Sequence, residues 1–144
     1  HWLAEYPGYL DELARRLGVA DRIHYTGVLN AKGMRQQFLL AETYLLCSSI
    51  ENSPNSLGEA MLTGVPCAAA AVGGVPSMLS EKEGELFDPA APGEMAKAVT
   101  ALWADPAMAE EKAAAARARA LAVHDPKAVA AALLDLYRRL CPGG

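Results

Sequence analysis

Cysteine is scarce in this chain. Its three residues, Cys47, Cys67 and Cys141, are odd in number and widely spaced. That excludes a disulfide framework and offers no paired thiols at metal-ligand spacing. Cys47 and Cys67 sit inside apolar runs, where a thiol behaves as a small buried hydrophobe in a reducing compartment. Basic residues are also few, 13 Lys and Arg against 17 Asp and Glu for a net charge of -4, so no nucleic-acid-binding face is expected. No apolar run approaches the roughly 18 residues of a membrane span, and no leader pattern opens the chain. A cytoplasmic location is therefore expected. What remains is 52% apolar and 21% charged, the balance of an ordinary globular protein. A chain of 144 residues buries roughly two thirds of its unfolded surface, enough for one core.

The pattern alternates strands with helices. Apolar residues at Leu10, Leu13 and Leu17 give a short amphipathic helix over Tyr9 to Leu17, after the Pro7-Gly8 breaker and before Gly18. Arg22 to Thr26 alternates like a strand, and a helix over Ala31 to Ala41 follows. The continuous apolar runs Thr43 to Cys47 and Pro66 to Val72 read as parallel strands covered on both faces. A helix from Asn55 to Leu62 lies between them, and Glu85-Leu86-Phe87 gives a last edge strand. Beyond Gly93 the chain is helical and rich in alanine, with breaks at Asp105-Pro106 and Asp125-Pro126 that suit an Asp cap with Pro in the first turn. The fold class is therefore α/β, a Rossmann-like parallel sheet with helices on both faces.

Ligands of such sheets sit beyond the carboxyl ends of the strands. One loop has suitable chemistry there. The segment from Ser48 to Met61 leaves a buried strand, crosses a polar stretch and enters a helix. With Ser53 as the cap and Pro54 in the first turn, the amides of Asn55, Ser56 and Leu57 are expected to point out unpaired and bind an anion. Glu51 in the loop and Glu59 about one turn into the helix could bracket one ligand, their carboxylates accepting hydrogen bonds from sugar hydroxyls. The Glu-x7-Glu spacing alone is common in a chain with 11 glutamates. Its place at a strand end gives it weight.

Glu51 and Glu59, with Ala60-Met61-Leu62-Thr63-Gly64-Val65-Pro66 and the loop Gly73-Gly74-Val75-Pro76, resemble the large group of retaining glycosyltransferases with the GT-B fold. The flanking segments Asp21 to Gly27 and Gly84 to Pro89 are similar to the same family, so the likeness covers nearly the whole chain. The resemblance implies that residues 1–144 are a single, partial C-terminal domain that binds a nucleotide sugar, its N-terminal acceptor domain lying outside this sequence. The opening at His1 fits a boundary within a longer protein.

It further implies roles. Glu59 would bind the donor ribose, and Glu51 would face the hexose near the reacting carbon as the catalytic residue. The Asn55, Ser56 and Leu57 amides would hold the sugar and diphosphate, with Ser53, Gly73 and Gly74 beside them. The backbone at Val28 and Leu29 would lie against the base. Such enzymes need no metal or cofactor at the diphosphate, and the leaving diphosphate helps the acceptor lose its proton. Ser77 stands where the family often has an acidic residue and Cys47 where it often has proline, and the family's upstream basic pair lies before His1. The chain alone is expected to be inactive. A nucleotide-sugar epimerase of the same fold, or a non-catalytic flavodoxin-like module, are the alternatives.

Other features read as structural. Ser53 is a cap in either reading, Gly73 and Gly74 at least permit a turn, and His24 and His124 are structural. Trp103, with Val99 and Leu102, reads as core. Lys112, Arg117 and Arg119 read as a solvated helix face. Val129, Leu133, Leu136, Tyr137 and Leu140 form an apolar stripe that in the full fold would pack on the other domain, so self-association of the chain alone is expected. The resemblance leaves open a peripheral membrane association of the whole enzyme.

Overall fold

The computed structural model describes residues 2–141. By contacts the chain divides into two units, one ending at Asn30 and the other beginning at Ala31.

The first unit holds helix α1, Trp2–Arg16, and a 3-10 turn, Ala20–Arg22. The helix passes through Pro7 rather than starting after it, because a proline in the second turn removes only one helical hydrogen bond. Gly18, at φ 67°, ends it as expected. The strand expected over Arg22 to Thr26 does not form. Among the described residues of this unit no other strand is available to pair with it, and an unpaired strand leaves its backbone groups unsatisfied. Ile23 and Tyr25 are exposed, and Val28 is fully exposed.

The second unit carries the sheet. Its elements are α2 (Ala31–Leu40), β1 (Tyr44–Leu46), α3 (Asn55–Thr63), β2 (Cys67–Ala70), α4 (Val75–Met78), β3 (Glu85–Phe87), α5 (Pro92–Ala104), α6 (Pro106–Val123) and α7 (Pro126–Leu140). The described strands form one parallel sheet in the order β1-β2-β3, with Leu45 opposite Ala68 and Ala69 opposite Leu86. Strand alternation splits β2 between two cores. Cys67 and Ala69 join Phe38, Leu57, Met61, Val75 and Leu79 on one face, while Ala68 and Ala70 join Phe87, Ala98 and Leu102 on the other. Every residue of β2 is fully buried, as its unbroken apolar run requires. The small side chains of Ala68, Ala69 and Ala70 let helices approach both faces closely, so α6 contributes Ala109 to one core and Ala116 and Ala120 to the other.

Burial pushes the Cys67 thiol up to about 12. Its Sγ donates to the Val65 carbonyl at 3.2 Å, so it is a neutral core group, whereas Cys47 is exposed and not buried as its apolar run suggested. Both Asp-Pro starts form as expected: the carboxylates of Asp105 and Asp125 accept from the amides of Met108 and Lys127 at 3.0 Å. Trp103 is not core. Leu102 takes the sheet-facing position on α5, which turns its neighbour outward, 58% exposed, with the indole N–H donating to Thr43 Oγ1 at 3.1 Å. All of α7 is exposed, including Leu133, Leu136 and Tyr137. Among the described residues no helix is long and apolar enough to cross a membrane.

Candidate functional site

Because β1 and β2 are parallel neighbours, the segments following them emerge at the same end of the sheet. The first is the loop 47–54 leading into α3, and the second is the turn 71–74 leading into α4.

These two segments interlock. A Cβ on Gly73 would stand 1.6 Å from the Glu51 carbonyl oxygen, and one on Gly74 would stand 1.8 Å from the Asn52 carbonyl oxygen. Gly73 also has φ 52°, a conformation side chains disfavour. The two glycines thus let one backbone rest directly on the other, and the Glu51-Asn52 peptide is held against the β2-α4 turn.

Helix α3 starts at Asn55 as its sequence suggests, but its cap is one residue later than expected. Pro54 is the cap, with φ -68° and ψ 112°, and no side chain caps the helix. Ser53 is therefore outside the helix, its hydroxyl 3.5 Å from Met78 Sδ, a correction to the cap reading. The Leu57 amide donates to the Pro54 carbonyl at 3.1 Å, so it is not unpaired as expected, and the Leu57 side chain is fully buried. Among the described residues no acceptor serves the amides of Asn55 and Ser56. Two donors, not three, face outward at the positive end of the α3 dipole.

The Ser56 hydroxyl accepts from the Tyr44 hydroxyl at 2.8 Å, which ties β1 to the first turn of α3. Burial pushes the Tyr44 phenol above its ordinary value; the Ser56 bond opposes that shift, and the nearby Glu51 carboxylate adds to it. Glu51 is half-buried, while Asn55 and Glu59 are exposed and lie one turn apart on the same face of α3. The strand-end segments thus carry Glu51 and the two free amides, backed by Gly73 and Gly74, and Glu59 lies one turn beyond Asn55 along α3. Val28 and Leu29 belong to the first unit.

On the expected solvated face of α6, Arg117 is exposed, and all three basic side chains also make ties to distant segments. Lys112 pairs with Glu85 and donates to the Gly84 carbonyl at 3.2 Å. Arg117 Nε donates to the Leu62 carbonyl at 3.1 Å, and Arg119 donates to the Ser77 carbonyl at 2.6 Å. Helical spacing could not show this, because each partner lies at least 27 residues away in sequence. A cavity of about 400 Å³ between Glu42, Pro66, Trp103 and Glu110 lies at the amino ends of β1 and β2, remote from the loops. Among the described residues no three His, Cys, Asp or Glu side chains are grouped to hold a metal ion.

Comparison with known proteins places this geometry in context. The family model described as glycosyl transferases group 1 matches residues 4–120. Alpha-maltose-1-phosphate synthase of Mycobacterium tuberculosis is 31% identical over 152 aligned positions, 96% of this chain and 39% of that protein. D-inositol 3-phosphate glycosyltransferase 2 of Catenulispora acidiphila is 33% identical over 101 positions, 69% of this chain and 23% of that protein. Among solved structures, sucrose-phosphate synthase from Thermosynechococcus elongatus superposes with a TM-score of 0.82 at 28% identity, covering 91% of this chain and 33% of that one. HepE of Anabaena, solved with UDP, gives 0.82 at 25% identity, covering 92% and 37%. The chain thus spans less than two fifths of each of these relatives. Its α/β fold is that of a GT-B glycosyltransferase domain, and with the family model covering most of its length, the chain belongs to the group 1 glycosyl transferases.

Proposed function

We propose that the β1-α3 loop and the β2-α4 turn form the donor side of a retaining hexosyltransferase, which moves a hexose from a nucleoside-diphosphate sugar to a sugar or lipid-linked acceptor. The observation that carries this reading is the seating of the Glu51-Asn52 peptide on Gly73 and Gly74 beside the two unpaired amides of α3. The diphosphate lies at those amides, where the helix dipole favours negative charge. Glu59 accepts from the ribose hydroxyls, and Glu51 faces the hexose as the catalytic residue. Ser53, Gly73 and Gly74 border the pocket. The UDP complex of HepE supports a nucleotide diphosphate as ligand. No metal is needed if fixed dipoles supply the charge stabilisation.

In the reaction the bond from the hexose carbon to the diphosphate oxygen breaks and a bond to the acceptor oxygen forms with the same stereochemistry. The diphosphate leaves carrying the electron pair and takes up the acceptor proton. The acceptor site belongs to a further, N-terminal domain of a cytoplasmic enzyme, which also covers the exposed stripe of α7.

The test is thermal stabilisation by UDP-, GDP- and ADP-glucose. A ligand present at 100 times its dissociation constant stabilises the folded chain by about 2.7 kcal/mol. One of the three is expected to raise the melting temperature, and Glu59→Ala to abolish the rise. Indifference to all three at millimolar concentration, a free energy of about 4 kcal/mol, would count against donor binding by this chain.

A further inference from the structure

We infer that Arg119 is a positioning residue for the Glu51 loop, acting from α6 through the β2-α4 turn; the functional weight of this inference rests on reading that loop as the donor site. Arg119 sits 42 residues beyond Ser77, yet one of its guanidinium nitrogens donates to the Ser77 carbonyl at 2.6 Å. The other contacts Glu83 Oε1 at 3.4 Å. Glu83 is itself fixed, accepting from the amide of Ser80 at 2.9 Å and from its hydroxyl. The Ser80 hydroxyl is the main cause that holds Glu83 below the usual carboxylate range, with the Arg119 charge adding to it. The guanidinium therefore has a charged anchor on one side and a backbone carbonyl on the other, a use of its planar fork that a lysine cannot duplicate.

The tie continues inward. The Ser77 hydroxyl donates to the Gly74 carbonyl at 2.6 Å, and Gly74 and Gly73 bear on the carbonyls of Asn52 and Glu51. One side chain of α6 thus bonds the turn on which the Glu51 peptide rests, beside the core anchorage of Val75 and Leu79. Helix α4 has four residues, too few to hold its own position by helical hydrogen bonds, so the external bond to its Ser77 carbonyl bears on where the turn sits. Arg117 is the natural control, because it bonds the Leu62 carbonyl at the far end of α3.

Amide hydrogen exchange on the 144-residue chain tests the inference without any ligand. Arg119→Met is expected to accelerate exchange about tenfold in residues 48–56 and 73–77, leaving the β2 amides protected, since local opening is independent of global unfolding. Arg119→Lys should recover part of the protection, and Arg117→Met should act near residues 62–65 only. Unchanged exchange in 48–56, or equal acceleration in β2, would overturn the inference. The affinity for UDP-glucose separates the two readings: a tenfold loss in Arg119→Met but not in Arg117→Met supports both. If the wild-type chain binds no nucleotide sugar while the exchange pattern holds, the donor reading fails and the positioning role stands.

Discussion

Replacing Gly74 by alanine is expected to cost about 2–4 kcal/mol of stability and to lower the transfer rate of the complete enzyme about 100-fold. The new methyl would stand 1.8 Å from the Asn52 carbonyl oxygen and 3.0 Å from its carbon. Both neighbours are backbone, so no side chain can rotate away, and the loops must part by more than an ångström. A displacement of that size at a reacting centre is worth about two orders of magnitude. Gly73→Ala adds the penalty of a left-handed residue, about 1–2 kcal/mol, to a contact of 1.6 Å with the Glu51 oxygen. The control is Gly93→Ala, near the start of α5, where an added Cβ meets nothing within 4 Å; it should be neutral or stabilise by about 0.4–1 kcal/mol. Thermal melts of the three variants measure the stability effects directly.

The second large effect concerns Glu51 in the complete enzyme. Glu51→Gln keeps the loop's shape but removes the charge beside the transferred sugar, and kcat is expected to fall about 100- to 1,000-fold, the usual loss for one electrostatic group at a developing charge. Affinity for the free nucleoside diphosphate should stay within about threefold, since the proposed reading puts that part of the donor on the Asn55 and Ser56 amides. Glu59→Ala should show the reverse split, weakening the nucleotide with a smaller effect on kcat. Steady-state kinetics with a product-inhibition series distinguishes the two.

Much of this was legible in the sequence, and the failures have identifiable causes. The strands at Tyr44–Leu46, Cys67–Ala70 and Glu85–Phe87 announce themselves as short apolar runs between loops, and the parallel order follows from the intervening helices. The Asp-Pro helix starts are local and therefore readable. Arg22 to Thr26 has the strand pattern, yet pattern cannot supply a pairing partner, and the segment stays irregular. Trp103 sits next to Leu102 in an apolar stretch, but a helix gives the sheet-facing position to one of them, and the more compact leucine takes it.

The site divides in the same way. Its strand-end position and the two glutamates are visible in the chain, whereas the duty of Gly73 and Gly74 is not. Their close approach to residues 51 and 52 depends on how two separate strands are paired. Arg119 likewise reads as one more charge on a helix, because its Ser77 and Glu83 partners are fixed only by tertiary packing. Such long-range ties between polar groups carry no periodicity for a sequence to reveal.

The most direct measurement is a backbone amide NMR titration of the chain with UDP-glucose and its GDP and ADP counterparts. With one of these donors, the largest shifts are expected at Asn55 and Ser56, with further movement through residues 51–59 and 73–77. Saturable shifts centred instead on Glu42, Trp103 and Glu110, with the α3 amides undisturbed, would contradict the account.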